Sequence, residues 1–315
     1  MTATTLATQL LISSDLLTGT EWNASSVREL LQLAADIKAR PDRYRGALTG
    51  RVLALIFEKP SLRTRVTFEV GIQSMGGSAV FLDHTQSRLG ERESIPDVAR
   101  SLERWVHGIV ARVFEQTALE ALAAQAKIPV INALSDKYHP CQALADFFTL
   151  EEKFGSLRGL KLAYVGDGNN VCHSLLLAGA RLGAHLRVAT PAGYDPAPEI
   201  VAEARRTARE TKGKIELLRD PAEAVTGAQA VYTDTWTSMG FEKEAHEREA
   251  AFAGFQVNDA MMDLLAPEGV FMHCLPAHRG SEVTNEVLDG ERCIAFDQAE
   301  NRLHVQKAIL LTLLS

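Results

Sequence analysis

The sequence predicts an α/β protein built from two open parallel-sheet α/β domains with an interdomain cleft. A length of 315 residues suits two domains of ordinary size. Short, nearly continuous apolar runs alternate with amphipathic stretches along the chain, and such runs are typical of strands covered by helices on both faces. A glycine-containing break at 154–159 (FGSLRG) separates two halves with this same pattern.

Each element follows from its local pattern. Apolar runs predict strands at 52–57, 79–82, 108–112, 129–132, 161–166, 185–190, 214–218, 230–233 and 270–273. Helical periodicity predicts helices at 24–39, 116–127, 140–154, 171–182, 198–212 and 241–252, another directly after Ser61, and a last one at 298–313. We therefore place the first domain at 1–153 and the second at 154–297, with the C-terminal helix, residues 298–315, packing back on the first domain.

The composition is that of a soluble globular protein, with 46% hydrophobic and 23% charged residues. A net charge of −7, from 33 basic and 40 acidic residues, disfavours a general nucleic-acid-binding surface. No stretch approaches the roughly 20 apolar residues of a membrane helix, and we expect neither a signal peptide nor a membrane anchor.

The cysteines disfavour a disulfide framework and a zinc ribbon, because they lie far apart and form no Cys-x-x-Cys pair. They are Cys141, Cys172, Cys274 and Cys293. A reducing compartment fits this usage best, so we expect a cytoplasmic protein.

The segment Ser61-Leu62-Arg63-Thr64-Arg65 follows the first apolar run and opens a helix. Proline followed by serine is a helix-start signal in which the serine caps the first turn. A helix N-terminus offers free N–H groups and a partial positive charge, and arginine binds anion oxygens two at a time. The segment predicts a phosphate site; the alternative is an exposed capped helix with arginines in ordinary ion pairs.

Two further strand ends in the first half carry polar residues. Arg112 ends the run 108–112, where a solvated arginine is the alternative to one that binds a ligand. His139 precedes Pro140 at the start of a helix, with Gln142 in its first turn. A histidine facing the positive end of a helix has a lowered pKa and stays neutral, so it can donate one hydrogen bond. A capping histidine without a ligand is the alternative.

Three motifs follow strands of the second half. The first, GDGNNV at 166–171, resembles part of a dinucleotide fingerprint, but Val171 replaces its last glycine or alanine, so we do not expect NAD. In the second, DTWTSMG at 234–240, Asp234 could fix an ammonium group and the final residues could form a lid; a helix cap is the alternative. The third, HCLP at 273–276, invites a zinc or nucleophile hypothesis, but a structural zinc site needs four ligands and most cysteines are simply buried.

Together the motifs resemble, in order and spacing, the aspartate/ornithine carbamoyltransferase family over essentially the whole chain. Ser-x-Arg-Thr-Arg and His-Pro-x-Gln are similar to motifs of carbamoyltransferases generally, whereas Asp-x-x-x-Ser-Met-Gly and His-Cys-Leu-Pro resemble the ornithine branch. The resemblance implies an enzyme of arginine metabolism. It would transfer the carbamoyl group from carbamoyl phosphate to the δ-amine of L-ornithine, giving L-citrulline and phosphate without a metal or organic cofactor.

The resemblance also implies residue roles, which we take as predictions. The carbamoyl-phosphate-binding domain would use Ser61, Leu62 (through its backbone), Arg63, Thr64, Arg112, His139 and Gln142. The ornithine-binding domain would use Asn170, Asp234, Ser238, Met239, Cys274 and Leu275 (through its carbonyl). The residues expected at the reacting centre are Arg63, Arg112, His139, Cys274 and Arg302.

A loop at 85–90 (TQSRLG) aligns with the segment that family members donate to a neighbouring subunit in trimers or multiples of trimers. Arg88 stands where glutamine or histidine is common. We expect Arg88 to reach the neighbour's phosphate; Gln86, with a shifted register, and a solvated loop arginine are the alternatives.

Two other functions remain open at this point. One is a carbamoyltransferase for putrescine, an N-acylated ornithine or aspartate. Asp234 with the Ser-Met-Gly segment argues against aspartate, and the Ser-Met-Gly segment argues against putrescine. The other is a non-catalytic binding paralogue, which the complete set of polar residues disfavours.

Overall fold

The computed structural model describes residues 14–237 and 245–315. The chain divides into two compact units: unit 1 holds the described residues up to Phe148 together with Asn301–Ser315, and unit 2 is Thr149–Glu300. Each unit contains one parallel β-sheet with helices around it, which confirms the prediction of two parallel-sheet α/β domains. None of the helices within the described ranges is long and apolar enough to cross a lipid bilayer.

Unit 1 has a four-stranded parallel sheet in the order β2-β1-β3-β4. Phe57 pairs with both Asp83 and Arg112, so the carboxyl ends of three neighbouring strands lie side by side. Its elements are α1 (Ala24–Ala39), β1 (Val52–Phe57), α2 (Leu62–Ser74), β2 (Ser78–Asp83), α3 (Ile95–Leu102), β3 (Gly108–Arg112), α4 (Gln116–Gln125), β4 (Val130–Leu134), the start of α5 (Pro140–Phe154) and the end of α12 (Ala295–Leu314).

The central strands of this sheet are covered on both faces. All of β3 and the last five residues of β1 are buried, which explains their uninterrupted apolar runs. The C-terminal helix packs here: a Cβ added at Gly108 would lie 2.9 Å from the Leu314 side chain, and one at Gly71 would lie 3.4 Å from that of Lys307. The prediction that the last helix packs on the first domain is confirmed.

Unit 2 has a five-stranded parallel sheet in the order β7-β6-β5-β8-β9. The ends of β5, β8 and β9 are therefore neighbours. Its elements are β5 (Lys161–Val165), α6 (Asn170–Leu182), β6 (His185–Ala189), α7 (Pro198–Thr211), β7 (Lys214–Leu218), α8 (Pro221–Val225), β8 (Ala230–Thr233), α9 (Ala245–Ala251), α10 (Asp259–Met262), β9 (Val270–His273) and α11 (Asn285–Leu288).

An aromatic cluster stabilises the region just beyond β8. The Phe252 ring stacks on Trp236 with centroids 5.7 Å apart and meets Tyr194 edge-on at 4.8 Å. All three belong to or border the apolar core of unit 2. Because Trp236 is only two residues beyond Asp234, this packing fixes the backbone that carries the carboxylate.

Candidate active site

The phosphate-site prediction falls on the N-terminus of α2. Ser61 has extended backbone and caps the helix, its Oγ accepting the Thr64 N–H at 3.3 Å. Its hydroxyl lies 3.0 Å from that of Thr64. The predicted cap is confirmed. Leu62, the first helical residue, leaves 75% of its surface exposed, so its side chain fills no core position and the first turn stays open to an anion.

Arg302 connects this helix start to the start of α5. Arg302 is buried, with only 3% of its surface exposed. One guanidinium nitrogen donates to the Thr64 hydroxyl at 2.7 Å, and another donates to the Gln142 Oε1. Gln142 in turn donates through Nε2 to Asp146 at 2.7 Å. A planar guanidinium thus joins two residues predicted to hold different parts of carbamoyl phosphate, a task that its forked donors suit.

His139 and Arg112 are both buried beside it. Burial, and then the positive charges of Arg302 and Arg112, lower the pKa of His139 well below its ordinary value. The prediction of a neutral imidazole is supported, and burial and two guanidiniums add causes for the lowered pKa that the sequence analysis did not foresee. Arg112 is also not the solvated strand-end arginine of the alternative hypothesis.

Arg88 lies close to the same strand ends. Its guanidinium carbon is 4.4 Å from the centre of the Phe114 ring, and the Lys59 ammonium lies at the same distance from that ring. Burial, followed by the charge of Arg112, lowers the pKa of Lys59. Gln86 is exposed. The Arg88 side chain, half-exposed at 52%, also approaches Glu115 at 3.5 Å.

Lys59 was missed by sequence reasoning, as was Glu58 before it. Glu58 is buried, and its carboxylate accepts backbone N–H groups from Leu89 and Phe114. The signal was present in the sequence, because Glu58 and Lys59 are the first two residues after the apolar strand β1.

In unit 2 the carboxylate of Asp234 is the centre of a hydrogen-bonded group. Its Oδ1 accepts the Thr235 N–H at 2.8 Å and the Cys274 thiol at 3.0 Å. Its Oδ2 accepts the Asn169 side-chain amide at 2.8 Å. These residues follow β8, β9 and β5, so the sheet order itself brings them together. Asp234 is buried, and a buried carboxylate at strand ends is suited to an ammonium group.

Asn169 lies in the turn whose glycines and two asparagines suggest amides presented to a polar small molecule, although only Asn170 is among the predicted ornithine-binding residues; its side chain forms hydrogen bonds in two directions. Its Oδ1 caps α6 by accepting the N–H groups of Val171 and Cys172 at 3.0 and 3.2 Å. Its amide nitrogen meets Asp234. Asn170, the residue that was selected, is the first residue of α6 and is partly buried. An asparagine before a helix is the signal for a cap, and it would have identified Asn169.

Leu275 sits in an unusual backbone conformation next to Cys274. Its φ is +57°, and a cis peptide bond joins it to Pro276. Its N–H donates to Nδ1 of His273 at 2.8 Å, which leaves Nε2 of that ring to face Glu282 at 3.3 Å. Within the described ranges, no three histidine, cysteine or acidic side chains are grouped as a metal would require.

Ser238 and Met239 lie outside the described residues. Their predicted contact with ornithine therefore stays a prediction from the sequence.

Two family models match this chain, one for each half. Residues 14–152 match the family model "Aspartate/ornithine carbamoyltransferase, carbamoyl-P binding domain", and residues 158–313 match "Aspartate/ornithine carbamoyltransferase, Asp/Orn binding domain". The ornithine carbamoyltransferase of Thermus thermophilus is 54% identical over 306 residues, which cover 97% of this chain and 98% of that protein. That of Thermococcus kodakarensis is 54% identical over 263 residues, covering 84% of each.

Solved structures of ornithine carbamoyltransferases are also similar to this chain. The ornithine carbamoyltransferase from Pyrococcus furiosus has a TM-score of 0.92 at 48% identity, over 95% of this chain and 96% of that one. The enzyme from Thermus thermophilus has a TM-score of 0.87 at 52% identity, over 96% and 99%.

Proposed function

The chain belongs to the aspartate/ornithine carbamoyltransferase family, and from this premise we propose how its residues perform the reaction. The chain is an ornithine carbamoyltransferase of arginine biosynthesis: it transfers the carbamoyl group of carbamoyl phosphate to the δ-amine of L-ornithine, giving L-citrulline and phosphate. The observation that carries this conclusion is about 50% identity over almost the full length to several enzymes of that one activity.

Carbamoyl phosphate binds to unit 1 in this proposal. Its phosphate lies at the N-terminus of α2, against the Ser61 and Thr64 hydroxyls, the Leu62 backbone and the guanidinium of Arg63, with Arg112 of the same chain and Arg88 of a neighbouring subunit adding positive charge. The neutral His139 ring donates a hydrogen bond to the carbamoyl oxygen, and Gln142 contacts the carbamoyl amide. The supporting contact is that of Arg302, which holds Thr64 and Gln142 in one arrangement.

Ornithine binds to unit 2. Asp234 accepts the α-ammonium group, Asn170 donates to the α-carboxylate, and the thiol of Cys274 with the carbonyl of Leu275 orients the δ-amine. Support comes from the buried carboxylate of Asp234 and its contacts with Cys274 and Asn169. The arrangement favours a diamino acid over putrescine, because putrescine has no α-carboxylate for Asn170 to bind.

The chemistry then balances without a redox partner. The neutral δ-amine forms a bond to the carbamoyl carbon, and the tetrahedral intermediate places negative charge on the former carbonyl oxygen. Donors from His139, Arg63 and Arg302 stabilise that charge. The carbon–oxygen bond to phosphate breaks as the carbonyl returns, and the proton lost by the amine nitrogen passes to the departing phosphate. Cationic groups around the phosphate lower the barrier by stabilising its growing charge.

We also propose a homotrimer, or a multiple of trimers, in the cytoplasm. Leu62, Val66 and Val70 form an apolar stripe on α2, exposed by 75%, 45% and 44%, and their four-residue spacing puts them on one helix face. A cavity of about 810 Å³ beside β2 is lined in part by Trp105 and by Arg88. These apolar surfaces support self-association, and the four free cysteines fit a reducing compartment.

A citrulline assay with a matched pair of variants tests the proposal. Arg63→Ala should abolish nearly all citrulline formation while the circular dichroism spectrum is unchanged. Arg65→Ala is the control, because Arg65 lies on the same helix but pairs with Glu69 at 3.0 Å and covers the Phe81 ring. Full activity of Arg63→Ala would show the phosphate assignment to be wrong, and faster turnover of putrescine than of ornithine would reject the substrate.

A further inference from the structure

Glu58 joins the backbone segments that follow three neighbouring strands. Only 4% of the surface of Glu58 is exposed. Oε1 accepts the Leu89 N–H at 2.7 Å, in the loop after β2, and Oε2 accepts the Phe114 N–H at 2.6 Å, just after β3. Its own N–H donates to the carbonyl of Arg112 at 2.9 Å. Both carboxylate oxygens are thus used on backbone groups, in the short geometry of charge-assisted hydrogen bonds.

The hydrogen bonds to Leu89 and to Phe114 each help to position the Arg88 guanidinium. Leu89 is the next residue along the chain, so fixing its N–H fixes the backbone of Arg88. Phe114 carries the ring on which the Arg88 guanidinium lies at 4.4 Å. Among the described residues the Arg88 side chain also forms an ion pair with Glu115, at 3.5 Å and on the surface, a contact that supplies little free energy. The position of the guanidinium therefore depends largely on groups that Glu58 holds.

We propose that Glu58 is a positioning residue for carbamoyl phosphate binding, acting through the Arg88 loop and Phe114 and not by touching the substrate. This rests on the proposed function, which assigns Arg88 to the phosphate. Removing the Glu58 charge separates two effects. If the carboxylate mattered only as a nearby negative charge, its loss would strengthen binding of an anion; if it positions Arg88, its loss weakens binding.

Glu58→Gln is the informative variant, because glutamine has one acceptor oxygen for two N–H donors and its amide nitrogen would face the other donor. Losing one charge-assisted hydrogen bond predicts a rise of about tenfold in the KM for carbamoyl phosphate. We expect kcat and the KM for ornithine to stay near their wild-type values. Glu58→Asp keeps the charge on a shorter side chain and should also raise this KM. Glu120→Gln, an exposed glutamate on α4, is the matched control.

A double-mutant cycle with Arg88→Ala decides the mechanism. If Glu58 acts through Arg88, Glu58→Gln adds little to the KM for carbamoyl phosphate once Arg88 is alanine. Equal factors in both backgrounds, or wild-type behaviour of Glu58→Asp or Glu58→Gln, would overturn the inference while leaving the proposed function standing. An Arg88→Ala variant with an unchanged KM for carbamoyl phosphate would instead refute the phosphate role of Arg88, and this inference with it.

Discussion

Asp234→Asn tests the ornithine site most sharply, because the hydrogen bonds around this carboxylate leave the amide no acceptable orientation. In the folded protein, donors from Thr235, Cys274 and Asn169 point at the two carboxylate oxygens. An asparagine with its oxygen at the Oδ1 position would aim its NH₂ at the NH₂ of Asn169. Asn169 cannot turn over without losing its cap on α6, since its Oδ1 accepts the N–H groups of Val171 and Cys172. The opposite orientation sets the NH₂ against the Thr235 N–H.

The magnitude follows from the lost charge-assisted hydrogen bond to the ornithine ammonium, which accounts for about 1.5–3 kcal/mol. At about 1.4 kcal/mol per factor of ten, this loss predicts a fall of roughly 10- to 150-fold in kcat/KM for ornithine. The unsatisfied buried donor is present with and without ornithine, so its cost of about 1–3 kcal/mol should instead lower the free energy of unfolding.

Steady-state citrulline formation at varied ornithine measures the effect, and binding of carbamoyl phosphate alone should be unchanged. Asp195→Asn is the control, because Asp195 is also an aspartate of unit 2 but forms an ion pair with Arg219. A fall of less than about tenfold in Asp234→Asn would refute the assignment of the ammonium to this carboxylate.

Three further predictions concern unit 1 and its loop. The pKa of His139 is lowered in the folded protein, so below about pH 6.5 the unfolded chain binds a proton that the folded chain does not. The free energy of unfolding should therefore fall as the pH falls, by at most about 1.4 kcal/mol per pH unit. His139→Gln should reduce this slope in denaturant titrations. Arg302→Lys should lower the free energy of unfolding by about 1.5–3 kcal/mol, because a single ammonium group replaces the guanidinium that donates to both Gln142 and Thr64. In the proposed trimer, mixing Arg63→Ala and Arg88→Ala subunits should restore citrulline formation if Arg88 acts in a neighbour's site, because some sites then contain both arginines.

For each of these three predictions, one experimental result would contradict it. An equal pH slope in wild type and His139→Gln would show that this histidine is protonated in the folded protein. Wild-type stability of Arg302→Lys would show that one of its two hydrogen bonds contributes nothing. Mixed subunits as inactive as the separate variants would place Arg88 in its own chain's site.

The strands and the polar residues at their ends were readable from the sequence for one physical reason. A parallel strand buried on both faces must be apolar throughout, so the first charged residue after it marks the end of the strand. This located Arg112 and Asp234 correctly at strand ends. The shorter helix α3 was not predicted, although Ser94 caps it and Pro96 lies in its first turn, which are ordinary start signals.

What the sequence did not show are the contacts between residues far apart in it. Glu58 bonds the backbone of a residue 56 positions away, and the guanidinium that lowers the pKa of His139 comes from Arg302 near the C-terminus. Local patterns report helix caps and buried faces, but they do not report which distant backbone group a buried carboxylate meets. The lowered pKa of His139 was therefore expected from the nearby helix end alone, and the contributions of burial and of two arginines were not expected.

The neutrality of His139 has a consequence for the chemistry of unit 1. Because burial and two guanidiniums lower the pKa of His139, the donor that this ring offers to the carbamoyl oxygen is uncharged, whereas the permanent positive charges belong to arginines. In the proposed arrangement Arg63, Arg88 and Arg112 act on the phosphate. Negative charge on the carbonyl oxygen is transient, while charge on the departing phosphate grows until the bond is broken. The neutral His139 ring thus acts at the carbonyl oxygen beside the charged donors of Arg63 and Arg302, while the full charges of Arg88 and Arg112 act at the leaving group and favour expulsion of phosphate from the tetrahedral intermediate over return of the amine.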